Sequence, residues 1–315
     1  MKYDIYFHND FDGRASAAVM LAFLRSRGDD IAHYVPVTYG YEKPWLKEDL
    51  AKKKNPAIVV DFLYHPKAAW WFDHHRTTFR EEKWKRAFKP DRFHRYDYSY
   101  RSACHLVYDS LKKDFGWKPP RHFKELVRWL DVVDSARYRS ARETIEMKHP
   151  ALEINAFIET LERTTNEENR FLIGLLAKYP LARVVAAPRV ARAVRALHKK
   201  VARSMAFLKK NLLVFKRTTF VDVTKDPLDG LLRYAPYYLY PKSIYNIRLR
   251  PKGKGVWYLG VGASPWRRSA NKLELGKLMR RRYGGGGHKA IGATEFLTRA
   301  DAMKAFKKIN ELLNR

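Results

Sequence analysis

The chain has 315 residues, enough for two domains of ordinary size, and its 46% hydrophobic and 14% aromatic content excludes a disordered basic tail. Lys plus Arg number 63 against 33 for Asp plus Glu, a net charge of +30. That charge makes polyanions the first partners to consider: nucleic acid, nucleotides and polyphosphate, then an anionic membrane surface. A single cysteine, Cys104, excludes an intrachain disulfide framework.

In chain order, Lys2 to Phe7 alternates Tyr, Ile and Phe and predicts a strand that runs into His8-Asn9-Asp10-Phe11-Asp12-Gly13. The opening MKYDIYFHND holds acids and no apolar stretch, which argues against an export signal. No apolar run approaches the roughly 20 residues of a membrane span, so no membrane partner is expected and a cytoplasmic location is. Ala15 to Leu24 predicts a helix. Ala57 to Phe62 (AIVVDF) predicts a short buried strand with an acid at its end, Asp61. Ala69 to Phe72 (AWWF) predicts another, leading into Asp73-His74-His75. Ser102 to Leu111 and Phe123 to Val133 predict helices. Strands alternating with helices imply a mostly parallel sheet.

From Ala151 to Leu213 the pattern is helical, and Pro188 suits the first turn of a long basic helix reaching about Leu212. Phe220 to Val223, Ile244 to Arg250, Val256 to Val261 and Ala290 to Phe296 predict strands; Asn271 to Arg281 and Asp301 to Leu313 predict helices. The fold class is therefore α/β, in three parts: 1–187 with the parallel sheet, a connector helix over 188–214, and a smaller α/β domain over 215–315.

Four acidic clusters end or follow predicted elements: His8 with Asp10 and Asp12; Asp61; Asp73-His74-His75; and Asp131 with Asp134 in WLDVVDSA. Singly each has an ordinary reading: an Asp after a strand is often a helix N-cap, and a His pair on a loop is often surface. Together in one domain they favour a metal site. Carboxylates with neutral imidazoles suit a divalent ion such as Mn²⁺ better than a thiolate site would. So many acids would repel one another without a dication. Two ions bridged by one carboxylate, about 3.5–4 Å apart, form a clamp for phosphoester hydrolysis.

HNDFDG (8–13), VVDF (59–62), FDHH (72–75) and VVDSA (132–136), followed far downstream by GGGGH (284–288), resemble the DHH phosphoesterase superfamily in its DHH plus DHHA1 form. That resemblance implies an N-terminal DHH catalytic domain and a C-terminal DHHA1 substrate-binding domain. It implies that His8, Asp10 and Asp61 hold one Mn²⁺, and that Asp12, Asp61, His74 and a fourth-motif acid hold a second, with Mg²⁺ or Co²⁺ as substitutes. The fourth acid is Asp134, by likeness of VDSARY to the family's D-T-G-R-F stretch, with Asp131 as the alternative; Ser135-Ala136 departs from Thr-Gly. His75 would face the scissile phosphate, and Asp73 would orient a histidine. Gly285, Gly286, Gly287 and His288 would bring backbone and side-chain donors to a phosphate. Arg268 and Ser269 lie in a similar arginine–serine stretch, where Trp266 stacks on a base or packs in the core. Ser102-Ala103 is a further likeness, at a helix start.

The resemblance implies hydrolysis of short RNA or DNA oligonucleotides or nucleotides in the manner of nanoRNases, with pAp phosphatase activity as an addition. The alternatives are a cyclic-dinucleotide phosphodiesterase, a RecJ-like single-strand exonuclease and, from another class, a basic nucleic-acid-binding module without turnover. Tyr234, Tyr237, Tyr238 and Tyr240 would stack on bases, fill the core or pack a homodimer.

Overall fold

The computed structural model describes residues 1–39, 45–161, 164–228, 230–253 and 255–315. It divides into two compact units, one of residues 1–137 with 148–194, the other of residues 138–147 with 195–315. The sequence boundaries at 187 and 214 do not coincide with this division, because the chain passes from one unit to the other inside a helix.

In the first unit, β1 (Lys2–His8), α1 (Phe11–Ser26), β2 (Asp30–Val37), β3 (Ala57–Val60), β4 (Trp70–Asp73), α2 (Glu82–Ala87) and β5 (His94–Tyr96) are followed by α3 (Ala103–Phe115) and α4 (Phe123–Asp134). The five strands form an all-parallel sheet in the order β2-β1-β3-β4-β5. β3 (AIVV) and β4 (WWFD) are buried throughout, as strands covered on both faces must be. The order reverses at β1, where β2 lies to one side and β3 to the other. In open parallel sheets such a switch point, at the carboxyl ends of the strands, is where ligands bind.

α1 follows β1 after two residues. Asp10 caps it, its carboxylate accepting the Gly13 N–H at 2.9 Å. The alanine-rich body of α1 is buried nearly all round, and Phe11, Met20, Leu21 and Phe23 anchor it. α3 is capped by Ser102 and ends at Gly116 in the left-handed conformation. The region expected to be helical from 151 to 213 consists of α6 (Pro150–Glu159), α7 (Asn166–Lys178), α8 (Leu181–Ala186) and α9 (Pro188–Asn211), the last on the range expected. A Thr165–Glu168 capping box starts α7.

The second unit begins with α5 (Ala141–Glu146). Its sheet has the order β10-β11-β9-β8-β7-β6: Gly286–His288, Ile291–Phe296, Val256–Ala263, Tyr245–Gly253, Thr218–Asp222 and Leu213–Val214. Only β7 and β8 run parallel; the other neighbours are antiparallel. α10 (Ala235–Leu239), α11 (Leu275–Tyr283) and α12 (Arg299–Asn314) complete it. Leu275 and Met279 of α11 and Phe306, Ile309 and Leu313 of α12 close the core over Ile247, Leu249, Leu259 and Val261. Segment 138–147 belongs here: the Trp266 indole N–H donates to the Tyr138 carbonyl at 2.9 Å, and Tyr234 packs edge-on to both rings.

Candidate metal centre

The carboxyl ends of β1, β3 and β4 and the facing ends of α1, α3 and α4 bring six of the expected ligands together. His8 closes β1. Asp10 and Asp12 sit in the cap and first turn of α1, which starts so close to β1 that a Cβ on Gly13 would lie 2.1 Å from the His8 carbonyl oxygen. Glycine is therefore required by the close approach that places both acids. Asp61 follows β3 at a positive φ of 58°. This left-handed conformation, unusual for a residue with a side chain, is held by its N–H bonding the Phe72 carbonyl of β4 at 2.9 Å.

Two groups match the expected ligand sets, His8–Asp10–Asp61 and Asp12–His74–Asp134, and Asp61 borders both; Asp61 also forms a third group with His74 and His75, whose Nδ1 lies 3.5 Å from Asp61 Oδ1. His8 Nδ1 lies 2.8 Å from Asp10 Oδ2 and 3.6 Å from Asp61 Oδ2. His74 Nε2 lies 3.7 Å from Asp12 Oδ2, 3.8 Å from Asp61 Oδ1 and 3.4 Å from Asp134 Oδ2. Two of these ligands are fixed from behind. Asp12 accepts the Ala103 and Cys104 N–H groups at 2.6 and 3.0 Å, at the N-terminus of α3, where the helix dipole favours an anion. His74 Nδ1 lies 3.1 Å from the Tyr100 carbonyl. A carbonyl only accepts, so Nδ1 carries a proton and Nε2 is the ring atom left to coordinate, through its lone pair when the ring is neutral.

That lone pair faces three carboxylates. Among the described residues, neither oxygen of the fully buried Asp61 has a hydrogen bond, nor does His74 Nε2. Buried acceptors facing acceptors without donors are costly, and a divalent cation among them satisfies all of them at once. The donor set of carboxylate oxygens and imidazole nitrogens suits Mn²⁺ or a similar ion. The residues present therefore fit the expected metals.

The charges report the same crowding. Burial and then the Asp10 carboxylate push Asp12 up to about 7; burial and then Asp12 push Asp134 up to about 7. Burial, Asp12 and Asp10 raise Asp61 well above the usual carboxylate range. Burial disfavours the charge on Asp10 too, but His8 outweighs it and holds Asp10 low. Asp73 is buried, and its Oδ1 accepts the His74 N–H and the His75 Nδ1–H, at 2.9 and 2.8 Å. Burial lowers His75, yet Asp73 overrides it and brings the imidazole up to about 10.

Asp131 lies outside both groups. Its carboxylate takes the Ser102 hydroxyl at 2.8 Å and His105 Nδ1–H at 2.9 Å, bracing the first turn of α3 that grips Asp12. Two further residues border the site without a sequence motif to mark them. Tyr39 stands edge-on to His8 and His75, with ring centroids 5.0 and 5.7 Å apart, and its buried hydroxyl has no partner among the described residues. Arg14 is fully buried and bonds the Asp10 carbonyl, Asn9 and Asn169. A cation one residue past HNDFDG reads as surface until the burial of α1 is known.

In the second unit, Arg268 and Ser269 are exposed, and the Arg268 Nε–H donates to the Pro265 carbonyl at 3.1 Å. Trp266 is packed rather than free. The Gly284–His288 run is not a loose turn. A Cβ on Gly285 would lie 2.1 Å from the Ala293 carbonyl, and one on Gly287, at φ 131°, 2.2 Å from that of Ile291. Gly286 alone of the three faces open space, and His288 is exposed.

Neither the protein-family models nor the curated proteins give a match to this chain. Solved structures do. The pGpG-specific phosphodiesterase PggH from Vibrio cholerae aligns over 99% of both chains with a TM-score of 0.75 at 21% identity. RecJ from Thermus thermophilus, in complex with Mn²⁺, aligns over 98% of this chain with a TM-score of 0.57 at 15% identity, and this chain spans 51% of it. The DHH domain of a member of the s1p family of ribosomal proteins aligns over 100% of this chain and 87% of its own, at 13% identity and a TM-score of 0.53. What is common at these identities is the fold: the chain has the DHH-type fold that its motifs led us to expect.

Proposed function

We propose that this chain is a divalent-cation-dependent phosphodiesterase that releases nucleotides from short oligonucleotides. The observation that carries the reading is the His74 lone pair facing Asp12, Asp61 and Asp134, with Asp61 reaching a second group at His8 and Asp10. His8, Asp10 and Asp61 would hold one ion, and Asp12, Asp61, His74 and Asp134 the other, Mn²⁺ being the best match and Mg²⁺ or Co²⁺ its substitutes. Bound there, such ions supply Lewis-acid polarisation of a phosphoryl oxygen and lower the pKa of an attacking water.

The protein's own groups set the geometry. Asp61, rigid at the end of β3, fixes the two groups relative to each other. The α3 N-terminus holds Asp12, and the Tyr100 carbonyl holds the plane of His74. Asp73 engages His75 Nδ1, which leaves Nε2 to donate to a phosphoryl or leaving-group oxygen. Arg268, Ser269, Gly286 and His288 are the proposed phosphate contacts of the second unit. Gly285 and Gly287 serve by keeping the Gly286 backbone in place.

The likeness to a phosphodiesterase specific for pGpG, itself a dinucleotide, supports the short end of the substrate range. The net charge of +30 favours the second reading, attack on longer single strands. Product analysis with Mn²⁺ decides between them, offering labelled RNA dinucleotide, pentanucleotide and a strand of about two dozen nucleotides, with pAp and a cyclic dinucleotide alongside. Fast release of mononucleotides from the two shortest, abolished by Asp61→Asn, is the expected result. Faster processing of the long strand moves the assignment to a RecJ-like exonuclease. No turnover of any of them overturns the hydrolytic reading and leaves a binding module.

A further inference from the structure

Helix α9 carries Arg189, Arg192, Arg195, Lys199, Lys200, Arg203, Lys209 and Lys210 and no Asp or Glu. Arg189 meets Glu168 at 2.9 Å; among the described residues none of the other seven pairs with an acid. In the second unit, positions 195, 199, 203 and 210 fall within about 80° of one another at 100° per residue, and all four are exposed. Leu197, Val201 and Leu208 take the opposite side and are buried, Leu208 against Leu212, Val221, Val223 and Ala235.

This is not how the protein treats its other long helices. In α12, Asp301 and Glu311 flank Lys304, Lys307 and Lys308, and Lys304 meets Asp301 at 3.5 Å. A stripe of four cations along roughly 20 Å of helix, at 1.5 Å per residue, matches a repeating anion better than a single one, for which donors would converge. A lipid surface would also want apolar side chains beside the cations, and here those are spent in the core.

We propose that Arg195, Lys199, Arg203 and Lys210 form a docking surface for the phosphodiester backbone of a nucleic acid longer than a dinucleotide, without base readout. The surface is independent of the hydrolytic reading above and is tested without turnover. Binding of a labelled single-stranded RNA of about two dozen nucleotides to the full chain is followed by fluorescence anisotropy in EDTA, over a series of KCl concentrations. Lys199→Glu/Arg203→Glu/Lys210→Glu is compared with Lys304→Glu/Lys307→Glu/Lys308→Glu, which makes the same change of net charge on α12. The first variant is expected to lose about tenfold or more in affinity and to flatten the log–log salt slope by about 2, at about 0.7 per phosphate contact, while the second stays within about threefold. Equal losses show that only net charge matters and overturn the proposal, as does a first variant that binds like the wild type. Capture of anionic vesicles without RNA binding overturns it too. Glutamine at the same three positions gives the same comparison if the charge-reversed helix does not fold, as judged by circular dichroism.

Discussion

Asp61 combines three costs in one residue: full burial, a left-handed backbone, and two carboxylate oxygens without hydrogen-bond donors among the described residues. Structural residues seldom carry all three, and functional sites trade stability for such arrangements. Asp61→Asn removes the charge, keeps the shape and turns N–H donors toward the neighbouring acids. In EDTA the variant is expected to unfold at a higher temperature than the wild type, by an amount equivalent to about 1–3 kcal/mol, the usual cost of an unsatisfied buried polar group. Mn²⁺ should then stabilise the wild type by about 2.7 kcal/mol at a hundredfold excess over Kd, raising its melting temperature, and leave the variant nearly unmoved. A variant that melts lower in EDTA, yet gains as much from Mn²⁺, would count against Asp61 as a shared ligand. The acids and histidines of this site were legible in the sequence because ligand chemistry restricts residue type. Tyr39 and Arg14 were not, since a tyrosine after an edge strand and an arginine in a helix carry no such restriction.

At the scale of elements, the strands of the first sheet that the sequence marks, β1, β3 and β4, are its interior ones. AIVV and WWFD have no polar alternative inside a covered parallel sheet. β2 and β5, at the two edges of the same sheet, carry no such signal in the sequence. β2 (DIAHYVPV) carries His33 and Pro36, which an edge tolerates, and β5 is three half-buried residues. The sequence marks the glycine run as a phosphate cradle; the structure adds a packing role that spacing alone does not reveal. A Cβ on Gly276 of α11 would lie 2.3 Å from the Gly287 backbone, and one on Gly292 would lie 2.4 Å from the Leu275 carbonyl, so helix and hairpin touch through glycines. Gly276→Ala is accordingly expected to destabilise by about 1–3 kcal/mol, as overpacking does. Gly286→Ala, with nothing within 4 Å of its new methyl, should melt like the wild type and raise KM for a dinucleotide. Thermal melts and steady-state kinetics of the pair check both halves. A Gly286→Ala enzyme with unchanged KM would remove Gly286 from the phosphate contacts.

Over the whole molecule the charge balance becomes a stability term. With 63 cations and 33 acids, 63 − 33 leaves 30 cations that no distinct acid can neutralise. Ion pairs such as Arg25–Asp30 and Arg139–Glu143 are exposed, and such pairs contribute about 0–1 kcal/mol each. Repulsion among the surplus cations acts over longer distances and opposes the compact state. Salt weakens both, but unequally. The Debye length falls from about 10 Å at 0.1 M to about 3 Å at 1 M, which removes repulsion across the surface while pairs in direct contact keep part of their strength. The melting temperature of the cation-free protein is therefore expected to rise with KCl between about 0.05 and 0.5 M. Polyphosphate at matched ionic strength should raise it further, because a polyanion binds the folded cationic surface as well as screening it. A melting temperature that falls with KCl would mean that the ion pairs outweigh the surplus, and a polyphosphate curve that overlays KCl would mean that the cations present no organised surface to a polyanion.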